Sequence, residues 1–282
     1  MDAGATLVDF SFLKKIFKPI DSHVHKGIQG HVLLIGGSYG KIGSVCLSGK
    51  AALKSGAGLV TINTPKCGYN IVQTVLPEAM VITDEKKDFI TKIKYSIKPD
   101  AFGIGMGIGI DQSTQNAFLE FIKSNPKNLL IDADGLNILG LNKEWLRYLP
   151  KNTVITPHAK ELERFTEICI DDTNKLEKVQ RFCNEYQVIC VVKGSPTYVV
   201  TKDGIYKNTT GNQALATAGS GDVLSGIITS FLGQGYDPVE AAILGVYIHG
   251  LTAEIGVKET GYQAFIASDI INYLGKAFLT FQ

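Results

Sequence analysis

Short apolar runs alternate with stretches of helical spacing along most of the chain. The runs His31–Gly36, Leu59–Asn63, Ala79–Thr83, Ala101–Ile104, Asn128–Asp132, Thr153–Thr156, Val188–Val192 and Thr197–Thr201 predict strands. Most are continuous rather than alternating, the pattern of strands covered on both faces. Helical patterns near Gly43–Ser55, Gln112–Lys123, Ala159–Glu167 and Thr173–Tyr186 lie between them. Strand–helix alternation predicts an α/β fold, a mostly parallel sheet with helices on both faces. From Val199 to Tyr206, two short strands flank Lys202-Asp203-Gly204, which reads as a hairpin. Asp237-Pro238 with Glu240 reads as an N-cap, a first-turn proline and a capping box, followed by helical spacing through Ile243, Tyr247 and Leu251.

Residues 1 to 30 read as an arm or linker ahead of one domain at 31 to 282. Within the arm, Phe10, Phe12, Leu13, Ile16 and Phe17 share a helical face stopped by Pro19. Asp9, Lys14 and Lys15 interrupt any signal-peptide core, and no apolar run is long enough to span a membrane. The net charge of +1 gives no basic excess for nucleic acid. Five cysteines, with no CxxC pair, argue against a disulfide framework or zinc site and for a reduced, cytoplasmic protein. The histidines make no metal set: His23 and His25 sit in the arm, and His31 and His249 stand alone.

The chemistry concentrates at strand ends. Thr217-Ala218-Gly219-Ser220-Gly221-Asp222 runs directly into the apolar helix pattern Val223-Leu224-Ser225-Gly226-Ile227. Free amides at a helix start, with the helix dipole, make an anion site, and a carboxylate beside a phosphate can take a proton from an attacking hydroxyl. Read alone, the same residues also make an ordinary glycine-rich helix start with a first-turn acid. Gly36-Gly37-Ser38-Tyr39-Gly40 fits neither a Walker A loop nor G-x-G-x-x-G, but a glycine-rich turn from strand to helix suits a ligand at a sheet edge. Gly103-Ile104-Gly105-Met106-Gly107-Ile108-Gly109 permits close backbone approach or is a loose connection. Asp132-Ala133-Asp134, Thr156-Pro157-His158 and Lys193-Gly194-Ser195-Pro196-Thr197 each stand where a buried strand ends. His158 and Lys193 have bland readings as well, a structural histidine and a surface lysine.

Taken in order, these segments resemble the nucleotide-dependent NAD(P)H-hydrate dehydratases of the ribokinase-like superfamily. The match runs from about His25 to Ala277. It includes Lys26-Gly27 to Gly37-Ser38, Gly56-Ala57-Gly58-Leu59-Val60-Thr61, Leu130-Ile131-Asp132-Ala133-Asp134, Thr156-Pro157-His158, Lys193-Gly194, Ala216 to Ile228 and Gly245 to Gly250. The resemblance implies a three-layer α/β/α domain. It implies a lyase that uses ADP or ATP, with Mg2+, to dehydrate the S epimer of hydrated NADH and NADPH. Asp222 would be the catalytic base. Lys193, Gly194, Ser195, Pro196, Thr197, Asn212, Thr217, Gly219, Ser220 and Gly221 would hold the nucleotide. Ser44, Gly105, Gly107, His158 and Asp222 would contact the hydrated dinucleotide, and Glu161 would reach magnesium through water. It further implies a homo-oligomer, a tetramer in the family. A fused or separate epimerase would be its partner; if fused, the arm would be a linker cut from a longer protein. The chain departs from the family pattern at Ser44 (usually alanine), Ile104 (proline), Ala159-Lys160 (Pro-Gly) and Gln213-Ala214 (Pro-Gly or Pro-Met). The alternatives are a vitamin-type kinase of the same superfamily and a nucleotide-binding protein without turnover.

Overall fold

The computed structural model describes residues 4–19, 29–168 and 174–282. His23, His25, Lys26-Gly27, Cys169 and Thr173 lie outside the described residues. Among the described residues ten strands form one sheet: β1 (Thr6–Val8), β2 (His31–Ile35), β3 (Leu59–Thr64), β4 (Met80–Thr83), β5 (Ala101–Ile104), β6 (Leu129–Ile131), β7 (Val154–Ile155), β8 (Ile189–Val192), β9 (Tyr198–Val200) and β10 (Ile205–Asn208). The α-helices are α1 (Phe10–Ile16), α2 (Ile42–Lys54), α3 (Tyr69–Val75), α4 (Gln112–Lys123), α5 (Asp134–Leu141), α6 (Ala159–Thr166), α7 (Lys175–Tyr186), α8 (Ser220–Gly233), α9 (Pro238–Thr260) and α10 (Ala267–Leu279).

The strand order is β1-β10-β9-β8-β7-β6-β5-β2-β3-β4. Neighbours from β4 to β8 pair in parallel, and the expected hairpin appears as antiparallel β9 and β10. The period of two along each strand divides the core. Val32 and Leu34 face the layer built by α2, α8, α9 and α10, while Leu33 and Ile35 face the layer of α4 to α7. Both layers exclude water, which is why the strands read as unbroken apolar runs.

Two expectations need correction. The stretch set apart as an arm is built into the domain from residue 6 to residue 17. β1 pairs in parallel with β10, Leu13 is fully buried, and Phe17 packs on Phe281. At α9, Asp237 does cap Val239 N and Pro238 opens the helix, but no capping box forms. Glu240 lies 3.9 Å from Lys18 Nζ instead.

Strands leave β2 in both directions: the chain goes on to β3 and β4 on one side, and β5 onward fills the other. A crevice therefore opens at the carboxyl ends of β2 and β5, where α/β sheets place ligands. Helix α8 crosses this crevice packed against α2. Their backbones come close at Gly226, where an added Cβ would lie 2.1 Å from the Ser48 carbonyl oxygen. Ser48 Oγ in turn donates to the Asp222 carbonyl at 2.8 Å. Gly226→Ala is expected to destabilise the fold by about 1–3 kcal/mol through overpacking and to lower activity by shifting Asp222. A lowered urea midpoint with unchanged slope checks the first part; unchanged stability would show that the helices separate freely.

Candidate active site

The loops after β2 and β5 meet at the crevice. Gly37 N donates to Met106 O at 2.9 Å and Ser38 Oγ to Gly107 O at 2.8 Å. Gly105 adopts φ 120, and a Cβ there would sit 2.0 Å from Asp132 O, so only glycine lets the loops after β5 and β6 touch. Next along the edge, Ala133 holds φ 50, a conformation that side chains rarely adopt. The two acids beside it go separate ways. Asp134 accepts from Lys41 Nζ (3.2 Å) and Gly109 N (3.0 Å), whereas Asp132 turns inward and is 1% exposed.

The start of α8 faces the same crevice. Gly219 takes φ 85 at the N-cap, and Ser220 N bonds back to Thr217 O at 3.3 Å. Among the described residues, the amides of Gly221 and Asp222 have no protein acceptor. Two free N–H groups and the positive end of a 14-residue helix favour an anion there.

Asp222 stands in this first turn, half-buried. Burial raises its pKa to about 6, with Asp132 adding to the rise, while a hydrogen bond from Ser44 and the Lys193 charge oppose it. Such a carboxylate is ionised at neutral pH yet basic enough to take a proton. Ser44 is one of the departures from the family pattern, and its hydroxyl is a contact that alanine cannot make.

Behind Asp222 lies a buried charge cluster. Lys193 Nζ is 2.9 Å from Asp132 Oδ1 and 3.9 Å from Glu161 Oε2. Ser225 Oγ donates to Asp132 Oδ2 at 2.6 Å. Burial alone would raise the Asp132 pKa, but Lys193 and Ser225 outweigh it and hold the carboxyl below its ordinary range. Burial raises Glu161, with Lys193 opposing. Burial would depress Lys193, but the facing carboxylates keep it above its ordinary value and charged. Gly221 closes on this cluster: a Cβ there would lie 3.4 Å from Lys193 Nζ.

His158 caps α6. Its Nδ1 accepts from Lys160 N (3.1 Å) and Glu161 N (3.3 Å), and Glu161 Oε2 accepts from His158 N at 2.8 Å. Burial and Lys193 hold the ring below its ordinary pKa, so it is neutral at pH 7. Because Nδ1 accepts, the ring proton lies on Nε2. His158 is thus a structural cap whose half-exposed ring keeps its Nε2 proton 3.5 Å from Glu161 Oε1.

The structure therefore joins Asp222, Ser44, Lys193, Gly221, Glu161, His158, Gly105 and Gly107 into one contiguous site. Gly194, Ser195, Pro196 and Thr197 form the exposed turn after β8, closed by Thr197 Oγ1 on Gly194 O at 2.9 Å. Asn212 and Thr217 lie on the loop entering α8, the Asn212 side chain accepting from Ala214 N at 3.0 Å. The Lys193 ammonium is engaged with two carboxylates rather than displayed on the surface. Sequence reading assigned no role to Asp132, Ser225 or His249. Ser225 lies one turn after Asp222 on α8, a spacing that points both at one crevice. His249 gave no signal, since residues 241 to 250 of α9 are buried all round and no one face stands out. Among the described residues, no three metal-ligating side chains are grouped as a metal cage.

Comparison with known proteins places the chain in a family. The family model for NAD(P)H-hydrate dehydratase matches residues 32–276. The ADP-dependent (S)-NAD(P)H-hydrate dehydratase of Staphylococcus aureus is 36% identical over 239 residues, covering 83% of this chain and 84% of its own. The bifunctional NAD(P)H-hydrate repair enzyme of Dictyoglomus turgidum is 34% identical over 97% of this chain. The chain spans about half the length of that enzyme and of the like-named one from Moorella thermoacetica, 55% and 49%. The ADP/ATP-dependent NAD(P)H-hydrate dehydratase of Bacillus subtilis, co-crystallised with ATP and Mg2+, superposes with a TM-score of 0.86 at 26% identity and 99% coverage of both chains. Ribokinase from Arabidopsis thaliana, at 10% identity, TM-score 0.57 and 87% and 98% coverage, shares the fold alone. By its matched sequence and its ribokinase-like fold, this chain belongs to the NAD(P)H-hydrate dehydratase family.

Proposed function

We propose that the chain uses ADP or ATP to dehydrate the S epimer of hydrated NADH and NADPH, acting as a hydro-lyase in nicotinamide nucleotide repair. The observation that carries this reading is Asp222: a proton-accepting carboxylate in the first turn of a helix whose leading amides are free. Asp222 takes the proton of the ring hydroxyl that hydration left behind. The oxygen attacks the terminal phosphorus of the nucleotide, and the bond to the rest of the nucleotide breaks. Amides of Gly221 and Asp222 lie where the charge on the transferred group develops. Phosphate then leaves the ring, the neighbouring ring carbon loses a proton, and the double bond is restored. The products are NAD(P)H, phosphate, and AMP from ADP or ADP from ATP.

Gly194 to Thr197 and the loop from Asn212 to Gly221 would hold the nucleotide, with Lys193 behind its phosphates. Ser44, Gly105, Gly107 and the His158 Nε2–H would meet the nicotinamide side. Magnesium fits the residues present, because Mg2+ commonly keeps several waters and sits on phosphates with one or two carboxylates. Glu161 would be the acid that serves it, through water, since its Oε1 has only the His158 ring at 3.5 Å whereas Lys193 and Ser225 hold the two Asp132 oxygens at 2.9 and 2.6 Å. The ion would neutralise phosphate charge. Among the described residues no helix is long and apolar enough to cross a membrane. The reading is completed by a cytoplasmic location, a homotetramer, and an epimerase, fused or separate, that interconverts the hydrate epimers.

Recovery of dihydronicotinamide absorbance from NADH hydrate, with Mg2+ and either ADP or ATP, tests the reading. A stable phosphorylated alcohol from a vitamin substrate, without such recovery, would replace it with a kinase. The pH profile gives a second check. Asp222 must be ionised to act, so kcat/KM is expected to fall as pH drops through about 6. The Ser44 hydroxyl favours the ionised form, so Ser44→Ala is expected to move this acid limb to higher pH. An unmoved limb would remove Ser44 from the base's surroundings.

A further inference from the structure

His249 takes no part in the reaction above, yet it is a buried titratable side chain, 8% exposed, set against the start of α8. Its Nε2 lies 3.1 Å from Ser220 O and 3.1 Å from Ser220 Oγ. A carbonyl oxygen can only accept, so Nε2 carries the ring proton and donates. Burial holds the ring far below its ordinary pKa, at about 4, so this is the neutral tautomer at working pH. The carbonyl of Ser220 belongs to the same peptide unit as the N–H of Gly221. In a trans peptide the two point in opposite directions. A donor on the Ser220 oxygen therefore fixes the plane of that peptide and aims the Gly221 N–H at the mouth of the helix. It also polarises the unit, since chained hydrogen bonds strengthen one another by about 10–30%. Gly221 N is one of the two amides without a protein acceptor among the described residues, and its Cα adjoins the Lys193–Asp132 pair.

We propose that His249 is a positioning residue of the phosphate site: through Ser220 O it orients and polarises the Ser220–Gly221 peptide, so that Gly221 N–H meets the transferring phosphoryl group. The inference rests on reading the start of α8 as that site. Because charge on the phosphoryl oxygens grows in the transition state, losing His249 should affect turnover more than nucleotide binding.

The test compares His249→Leu with His249→Gln in the full chain with Mg2+. Two quantities are measured: kcat against KM for ADP, and binding of AMP with and without aluminium fluoride, a planar mimic of the transferred group. His249→Leu is expected to lower kcat and to weaken AMP–aluminium fluoride binding about tenfold each, less than the ~10²–10³-fold of removing a donor outright. KM and the affinity for AMP alone should stay within about twofold. Gln carries an amide N–H to about the place of Nε2 and should restore most of both losses. Should the Leu variant fail to fold, His249→Asn, polar but too short to reach Ser220, takes its place. Wild-type kcat and analogue binding in the Leu variant would overturn the inference. So would equal losses in the Leu and Gln variants, the mark of packing alone. If the wild-type chain binds AMP–aluminium fluoride yet restores no dihydronicotinamide, the dehydratase reading falls, and the ratio of analogue affinities still decides the role of His249.

Discussion

Asp222→Asn is expected to cut kcat by about 10²–10⁴-fold and to make the protein more stable at pH 7. The two effects have one cause. In the fold the Asp222 pKa is about 6, against 3.8 for the ordinary carboxyl. Its folded pKa thus exceeds its unfolded one, so what it contributes to stability is complete below about pH 4 and is lost as pH rises through about 6. At pH 7 the ionised carboxylate costs the fold at most about 3 kcal/mol, by 1.36 kcal/mol per pKa unit, and less where water reaches it. Asparagine is neutral and can still accept from Ser44. Thermal melts at pH 7 and near pH 4 check this. The variant's advantage should be clear at pH 7 and should close in acid. A melting temperature lowered at pH 7 would mean that Asp222 serves the helix dipole of α8 as a favourable first-turn acid, and that the fold does not carry the strain a base requires.

Much of this site could be read from the chain because its parts are local. The Gly219-Ser220-Gly221-Asp222 turn carries its own signal, an acid beside glycines at the head of an apolar helix. β2, β5 and β8 were legible because burial on both faces leaves them apolar after His31 at the head of β2. What escaped depends on distant partners. β1 has three residues and exists through pairing with β10, about 200 positions away. α10 has a clear apolar face but follows a helix buried all round from 241 to 250, so no change of period marks where the one ends and the other begins. Glu240 occupies the capping-box position in sequence, yet Lys18 lies within reach and no box forms. Asp132 marked a strand end in the sequence. Its partners are Lys193, 61 residues on, and Ser225, 93 residues on, and no spacing rule links positions so far apart.

The Asp132–Lys193 pair allows the second large prediction. Lys193→Met is expected to destabilise the fold by about 3–5 kcal/mol at pH 7, the usual result of leaving a buried charge unpaired. Asp132, 1% exposed, would lose its ammonium partner and keep neutral hydroxyls, that of Ser225 at 2.6 Å and that of Thr156. Burial would then dominate, and its carboxyl would rise from below the ordinary range to above it. The loss should therefore shrink as pH falls and the lone carboxyl is protonated. Lys193→Met/Asp132→Asn removes both charges and should recover most of the stability, a coupling that urea titrations of the double-mutant cycle would measure. That rescued double variant is also the protein in which to ask what Lys193 does in turnover. Lys193 lowers the Asp222 pKa and Asp132 raises it, so deleting both leaves the base near its native balance. If the stable double variant turns over normally, the pair is a scaffold that seats Gly221 against the sheet edge. The expected result is a further kcat deficit of about 10²-fold despite full stability. An ammonium that adjoins Gly221 as well as Asp132 and Glu161 is placed to face incoming phosphate, and methionine offers phosphate nothing.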